Sequence, residues 1–96
     1  MRGTILITMK SNFEYDRLFK KQRNQIDKAI ELVTPEMFNN LLGQYGEYIK
    51  VGTNVVMYHS ADSKDISLCL RDTWDFVFSV SLRDTQKGKV VEFEYL

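Results

Sequence analysis

Residues 66–95 read ISLCLRDTWDFVFSVSLRDTQKGKVVEFEY, and apolar side chains occupy every second position over three consecutive stretches. The alternating apolar positions are Ile66, Leu68 and Leu70, then Phe76, Phe78, Val80 and Leu82, then Val91, Phe93 and Tyr95. A period of two is typical of strands that bury one face and expose the other. Short polar segments separate the stretches, so the sequence predicts three antiparallel strands that follow one another as a meander.

The parity of the apolar positions also predicts how these strands align. Leu68 and Phe78 share one core if an odd number of loop residues, most simply three, joins their strands. The apolar positions change from even to odd numbers in the last strand, so its loop must be even, and Lys87-Gly88 suits a two-residue turn. The pairs expected on the solvent-exposed face are Arg83 with Glu92 and Ser81 with Glu94. The exposed face should also carry Ser67, Cys69, Arg71, Val77 and Ser79.

A helical hairpin is predicted in the first half of the chain. Apolar or small side chains recur at spacings of three and four, which indicates a helix from about Glu14 to Leu32 or Val33. The buried stripe of this helix comprises Tyr15, Phe19, Gln22, Ile26, Ala29, Ile30 and Val33. Thr34 is a suitable N-cap for a second helix, Pro35 suits its first turn, and Gly43 suits its end.

Three further strands complete the predicted fold. They cover residues 3–9, 45–51 and 54–59, and the last has four apolar residues in a row, which favours a central position in the sheet. The order is β-α-α-β-β-β-β-β. We therefore predict an α+β two-layer sandwich, a single domain over residues 1–96, with the helical hairpin packed on one face of a mostly antiparallel sheet.

The composition of the chain excludes several functional classes. The single cysteine, Cys69, forms no internal disulfide, and no apolar run reaches the length of a membrane span, so we expect a cytoplasmic protein. One histidine, His59, and one cysteine are too few for a zinc site, and no phosphate-binding or nucleophile motif is present. His59 and Cys69 are interpreted as ordinary strand residues. We expect no cofactor, no metal and no catalytic set.

Charge is polarised along the chain although the net charge is zero. Residues 1–28 hold seven basic and three acidic side chains, and the remainder holds six basic and ten acidic ones. Such a distribution can orient a partner, or it can be an ordinary solvated helix face. The candidate residues on the predicted helix are Arg17, Lys20, Lys21 and Lys28. Because Tyr15 and Phe19 are assigned to the buried stripe, a stacking platform for single-stranded nucleic acid is not indicated.

Trp74 is a second candidate contact residue, because it lies in a predicted hairpin tip between Asp72 and Asp75. Its ring either contacts a partner or folds back over the sheet. A further possibility is a homodimer through the C-terminal strand, if residues 90–96 form a sheet edge.

The stretches Leu18-Phe19-Lys20-Lys21 and Gly46-Glu47-Tyr48-Ile49-Lys50-Val51-Gly52 lie in the predicted helix and strand. In these stretches and in its element order, over about residues 15–71, the chain resembles the RelE/ParE toxin superfamily, whose members pack a helical hairpin on an antiparallel sheet. The resemblance implies messenger RNA as the target, engaged by Lys50 and Arg71. Members commonly carry an arginine where this chain has Thr53-Asn54, and they are basic, whereas this chain is neutral.

The leading hypothesis is a non-enzymatic module that docks on a partner protein, as small inhibitors, immunity proteins and phage-encoded antagonists of host proteins do. Its predicted contact residues are Arg17, Lys20, Lys21, Lys28 and Trp74. The alternative is a RelE/ParE-like ribonuclease toxin or RNA-binding protein that uses Lys50, Arg71 and the helix lysines.

Overall fold

The computed structural model describes residues 5–8 and 18–96. Along the chain the elements are β1 (Ile5–Thr8), α1 (Lys20–Leu32), α2 (Pro35–Leu41), β2 (Tyr48–Lys50), β3 (Val55–His59), β4 (Ile66–Leu70), β5 (Phe76–Thr85) and β6 (Gly88–Tyr95). The two helices pack on one face of the sheet, which confirms the predicted α+β two-layer arrangement. None of the helices in the described part of the chain is both long and apolar enough to cross a bilayer.

The sheet has the strand order β1-β6-β5-β4-β3-β2. β1 runs parallel to β6, and every other neighbouring pair is antiparallel. β3 lies between β2 and β4, as its apolar run predicted. β6 lies between β1 and β5 and is paired on both sides over residues 91–94, so it is not a sheet edge. The predicted homodimer through the C-terminal strand therefore lacks the open edge that it required.

Helix α1 turns its predicted stripe towards the sheet, but the stripe is shorter than expected. Gln22, Ile26, Ala29 and Ile30 are buried. Phe19, which was assigned to this stripe, is 77% exposed. The physical reason is that α1 begins at Lys20 and Phe19 precedes it in an extended conformation, with φ −62° and ψ 150°, so helical spacing does not place its ring. Tyr15 and the predicted helix start at Glu14 lie outside the described residues.

The joint between the helices has the predicted chemistry. The Thr34 hydroxyl accepts a hydrogen bond from the backbone N–H of Met37 at 3.2 Å, which is the N-cap contact of α2. Pro35 occupies the first turn, where no N–H donor is needed. Gly43 follows α2 with φ +77°, a conformation that glycine adopts without strain.

The pairing of β4 with β5 confirms one predicted register and corrects one predicted face. Leu68 lies opposite Phe78, and the strands are joined by the five residues 71–75 rather than three. A β-bulge shifts the register so that Cys69 pairs with Phe76, and Val77 is the extra residue. Val77 was predicted to be exposed, but the bulge places it in the core. Phe76 was predicted to be buried, and it is exposed instead.

The hairpin of β5 and β6 has the predicted parity and a different turn. Leu82 lies opposite Val91, so the apolar sets of both strands share one face. Thr85 pairs with Gly88, which makes Gln86-Lys87 the turn instead of Lys87-Gly88. The observed register consequently pairs Ser81 with Glu92 and Arg83 with Val90, two residues away from the prediction. The predicted contact of Arg83 with Glu92 still forms, diagonally across the strands, with 3.7 Å between Nη1 and Oε2.

We call the sheet face against the helices the inner face and the opposite one the outer face. The inner face holds the core, in which Phe78 and Phe93 meet edge to face at 5.8 Å between ring centroids. On the outer face, Ser67 and Cys69 were predicted to be exposed but are buried, because β4 is covered on both faces. The other half of the outer face, formed by β5 and β6, matches the prediction: Ser81, Arg83 and Glu94 are exposed.

Candidate functional site

Four aromatic rings and one guanidinium meet on the outer face. We call this group the aromatic platform, and its members are Tyr48, Tyr58, Arg71, Trp74 and Phe76. The ring centroids lie 5.8 Å apart for Tyr48 and Trp74, 5.9 Å for Tyr58 and Trp74, and 6.0 Å for Tyr58 and Phe76, all edge to face. Tyr48, Trp74 and Phe76 remain 38%, 39% and 42% exposed. The platform is therefore ordered by contacts among its own rings and still open to a partner.

Strand pairing explains how residues far apart in the sequence reach this surface. Tyr48 of β2 pairs with Tyr58 of β3, and Cys69 of β4 pairs with Phe76 of β5. Side chains of paired residues lie on the same face, and this face is opposite to that of Leu68 and Phe78. The bulge at Val77 turns Phe76 outward and so adds its ring to the platform.

Arg71 and Trp74 belong to the segment that joins β4 and β5. The Arg71 guanidinium carbon lies 4.9 Å from the Trp74 ring centroid and 5.4 Å from that of Tyr48, which is the geometry of a cation–π contact. Trp74 has φ +57°, a conformation that costs a bulky residue about 1–2 kcal/mol. Of the two alternatives predicted for Trp74, folding back is observed, because its ring packs against Tyr48 and Tyr58. The ring stays 39% exposed, and its contact with a partner stays a prediction.

Asn54 fixes this segment relative to the rest of the molecule. Its backbone carbonyl accepts from Arg71 N at 2.8 Å, and its side-chain Oδ1 accepts from Asp72 N at 2.9 Å. Its Nδ2 donates to Gln25 Oε1 of α1 at 2.9 Å. Asn54 has φ +60°, which asparagine tolerates better than most residues. One side chain thus joins the β4–β5 segment, the β2–β3 turn and helix α1.

The lysines predicted as contact residues lie elsewhere. Lys20, Lys21 and Lys28 line a groove of about 600 Å³ between α1 and the turn Gly52-Thr53, which we call the lysine groove. Lys21 and Gln25 also border a neighbouring hollow of about 650 Å³ that extends to Phe19 and Asp72. The structure therefore brings the three helix lysines together and separates them from the aromatic platform. Arg17 lies outside the described residues.

Lys50 and Arg71, the positions implied by the RelE/ParE resemblance, share the outer face. Lys50 pairs with Val56 and lies two residues beyond Tyr48 on β2, so its side chain is on the same face as the aromatic platform. Arg71 is part of the platform itself. Both side chains are exposed.

His59 lies in the interior of the fold, where its ring contacts two backbone carbonyl groups and one aromatic ring. Its ring is buried, with Nδ1 2.9 Å from the Leu41 carbonyl oxygen and Nε2 3.1 Å from that of Lys64. The Tyr45 ring packs on it at 4.5 Å. These contacts join the end of α2 to the β3–β4 loop, which fits the predicted role as an ordinary strand residue.

Cys69 is not set up as a nucleophile. It is fully buried, and burial raises the pKa of its thiol to about 12. The reactive form of cysteine is the thiolate, which is scarce at neutral pH when the pKa is this high. Within residues 5–8 and 18–96, no three His, Cys, Asp or Glu side chains form a group that could hold a metal ion.

Three platform residues were not identified from the sequence, namely Tyr48, Tyr58 and Phe76. Tyr48 and Tyr58 each lie at an outward position of a predicted strand, so the signal was their alternation with Ile49 and Met57, which face inward. Phe76 was assigned to the buried face because it is separated from Phe78 and Val80 by even numbers of residues. The β-bulge between Phe76 and Phe78 turns its side chain to the outer face.

No family model, curated protein or solved structure matches this chain. The likeness to the RelE/ParE superfamily stays a resemblance of element order and short stretches.

Proposed function

We propose that this chain is a non-enzymatic module that docks on a partner protein through the aromatic platform. The observation that carries the proposal is the packed group of Tyr48, Tyr58, Trp74 and Phe76 with Arg71 on the face opposite the helices. Tryptophan, tyrosine and arginine are the residue types that contribute most binding energy at protein interfaces. Their concentration on an exposed surface of so small a domain supports a contact role.

Preorganisation is the second support. Binding is weakened when side chains must lose rotamer freedom at the interface. Here each ring is already held by a neighbouring ring, and the Arg71 guanidinium is held over two of them. Asn54 in turn fixes the backbone of residues 71 and 72. The entropy lost on docking is correspondingly small.

The platform is less suited to stacking nucleobases. A base needs a free ring face, and Arg71 already lies over the rings of Tyr48 and Trp74. Asp72 and Asp75 flank Trp74, and their carboxylates repel phosphates. A folded protein with a complementary apolar recess is the better fit. Small inhibitors, immunity proteins and phage-type antagonists of host proteins are the corresponding class.

The test is affinity capture from the lysate of the source cell, followed by mass identification of the retained proteins. Trp74→Ala should abolish retention of the specific partner, because it removes the central ring of the platform. Leu42→Ala is the matched control, since Leu42 is also an exposed apolar side chain but lies beyond α2. Retention should persist when salt is raised from 0.1 to 0.5 M, as expected for an apolar interface.

Two outcomes would contradict the proposal. The first is a partner that Trp74→Ala retains as well as the wild-type chain does. The second is retention that Lys50→Ala abolishes, which would favour the RNA-binding alternative through Lys50 and Arg71. Circular dichroism of each variant separates loss of the surface from loss of the fold.

A further inference from the structure

The lysine groove differs from the aromatic platform in being lined by several basic side chains. Three lysines and no acidic side chain line it, together with the amides of Asn24 and Gln25. The exposed Phe19 directly precedes Lys20 and Lys21 and borders the adjoining hollow, which Asp72 also borders. We propose that this groove binds the backbone of a single-stranded nucleic acid, with one base stacked on Phe19. This site is separate from the proposed protein-docking surface and does not depend on it.

The lysines supply the electrostatic part of such a site. A basic groove attracts phosphates by releasing their counterions, independently of base sequence. At 1.5 Å rise per residue, Lys20 and Lys28 are separated by about 12 Å along α1, enough for roughly three stacked nucleotides at 3.4 Å each. The Asn24 amide lies between them, where it can meet sugar or base edges.

Phe19 decides between a nucleic acid and an acidic protein segment as the occupant. Its ring is 77% exposed, because it precedes α1 and does not join the buried stripe. A basic groove with a neighbouring exposed ring is the combination that binds single strands, in which each base offers a face for stacking. Unlike the rings of Tyr48 and Trp74, the Phe19 ring has no aromatic or cationic partner among the described residues.

The experiment is fluorescence anisotropy of a labelled mixed-sequence 12-nucleotide RNA and its DNA counterpart, titrated with the full chain between 50 and 200 mM salt. Three phosphate contacts predict a slope near −2 for the logarithm of affinity against the logarithm of salt, which is about a twentyfold loss over this range. Lys21→Ala should lower the slope by about 0.7. Phe19→Ala should weaken binding roughly tenfold and leave the slope unchanged.

Two variants exclude misfolding as the cause of a loss. Lys21→Glu places an acidic residue in the first turn of α1, where it favours the helix, so it should abolish binding without lowering the melting temperature. The triple change Lys64→Ala, Lys87→Ala and Lys89→Ala lowers the net charge by three, which is more than Lys21→Glu does, at positions away from the groove, and it should retain binding. Trp74→Ala should also retain it, which separates this site from the aromatic platform.

Three results would overturn the inference. The first is no saturable binding of either oligonucleotide at 50 mM salt. The second is equal loss in the groove variants and in the control triple, which would indicate attraction by overall charge. The third is tighter binding of a polyglutamate peptide than of the RNA, which would assign the groove to an acidic protein segment.

Discussion

The two faces of the sheet bury apolar side chains by different means. On the inner face, a layer of two helices covers the core, so Phe78 and Phe93 are almost completely excluded from water. On the outer face no helix of the described residues covers β2, β3 and β4, and the rings of the aromatic platform shield that half by packing on one another. Rings that are held only by their neighbours keep exposed edges. The inner face therefore stabilises the fold, and the outer face offers a preformed surface.

The largest expected difference between the two faces is in how much each contributes to the free energy of unfolding. Phe78→Ala removes a buried ring and leaves a cavity, which should lower the free energy of unfolding by about 3–5 kcal/mol. Phe76→Ala, two residues away on the same strand, removes a half-exposed ring and should cost about 1 kcal/mol. Guanidinium denaturation of both variants measures the two values. Equal losses would show that the outer face is as much a part of the core as the inner face.

The inner face could be predicted from the sequence because its signal is local. Alternation in residues 66–95 identifies the strands, and parity alone requires that Leu82 and Val91 share a face. Thr34 and Pro35 mark the joint between the helices through contacts within one turn. Each of these inferences uses residues that are neighbours along the chain or within a hairpin.

Parity does not, however, fix the register. A shift of two residues leaves every side chain on its face, so the pattern did not distinguish a Gln86-Lys87 turn from a Lys87-Gly88 turn. A bulge changes parity within a strand, which is why Val77 and Phe76 exchanged their predicted faces. Phe19 was misassigned because helical spacing was applied before the first helical residue.

The outer face was harder to predict because its contacts are long-range. The aromatic platform combines β2, β3, β5 and the β4–β5 segment, and no single repeat in the sequence connects them. Trp74 was identified by its position in a hairpin tip, whereas its partners Tyr48 and Tyr58 follow only from the pairing of β2 with β3. The burial of Cys69 likewise requires knowing which strands lie beside β4.

Cys69 tests how completely the outer face excludes water at β4. With its pKa raised from 9.0 to about 12, the thiolate fraction at pH 8 is roughly a thousandfold smaller than that of an ordinary thiol. The native chain should therefore react with DTNB about a thousandfold more slowly than the chain unfolded in guanidinium, followed by absorbance at pH 8. Fast labelling of the native chain would show that solvent reaches β4 through the platform.

The same thiol predicts a change of stability at high pH. Above pH 9 the unfolded chain loses the Cys69 proton, while the folded chain keeps it until about pH 12. The folded state then binds more protons, so the free energy of unfolding falls as pH rises through this interval. Cys69→Ala should show a shallower fall between pH 8 and 11 in guanidinium titrations. Identical slopes would contradict the assignment, because tyrosine and lysine titrations are common to both chains.

The smallest expected effect concerns the strained backbone that directs the Trp74 ring onto the outer face. Trp74→Gly and Trp74→Ala both remove the ring, so their difference reports only on the backbone, which has φ +57° at this position. Glycine adopts this conformation freely, and alanine does not, so the glycine variant should be more stable by roughly 1 kcal/mol.

Thr73 provides the matched control, because its φ is not positive and alanine there should be the more stable of the same two substitutions. Guanidinium midpoints of the four variants give both differences. If alanine equals or exceeds glycine at position 74, the segment relaxes once the ring is gone. The positive φ would then be a consequence of the ring packing against Tyr48, Tyr58 and Arg71. The hydrogen bonds of Asn54 to the same segment would not be its cause.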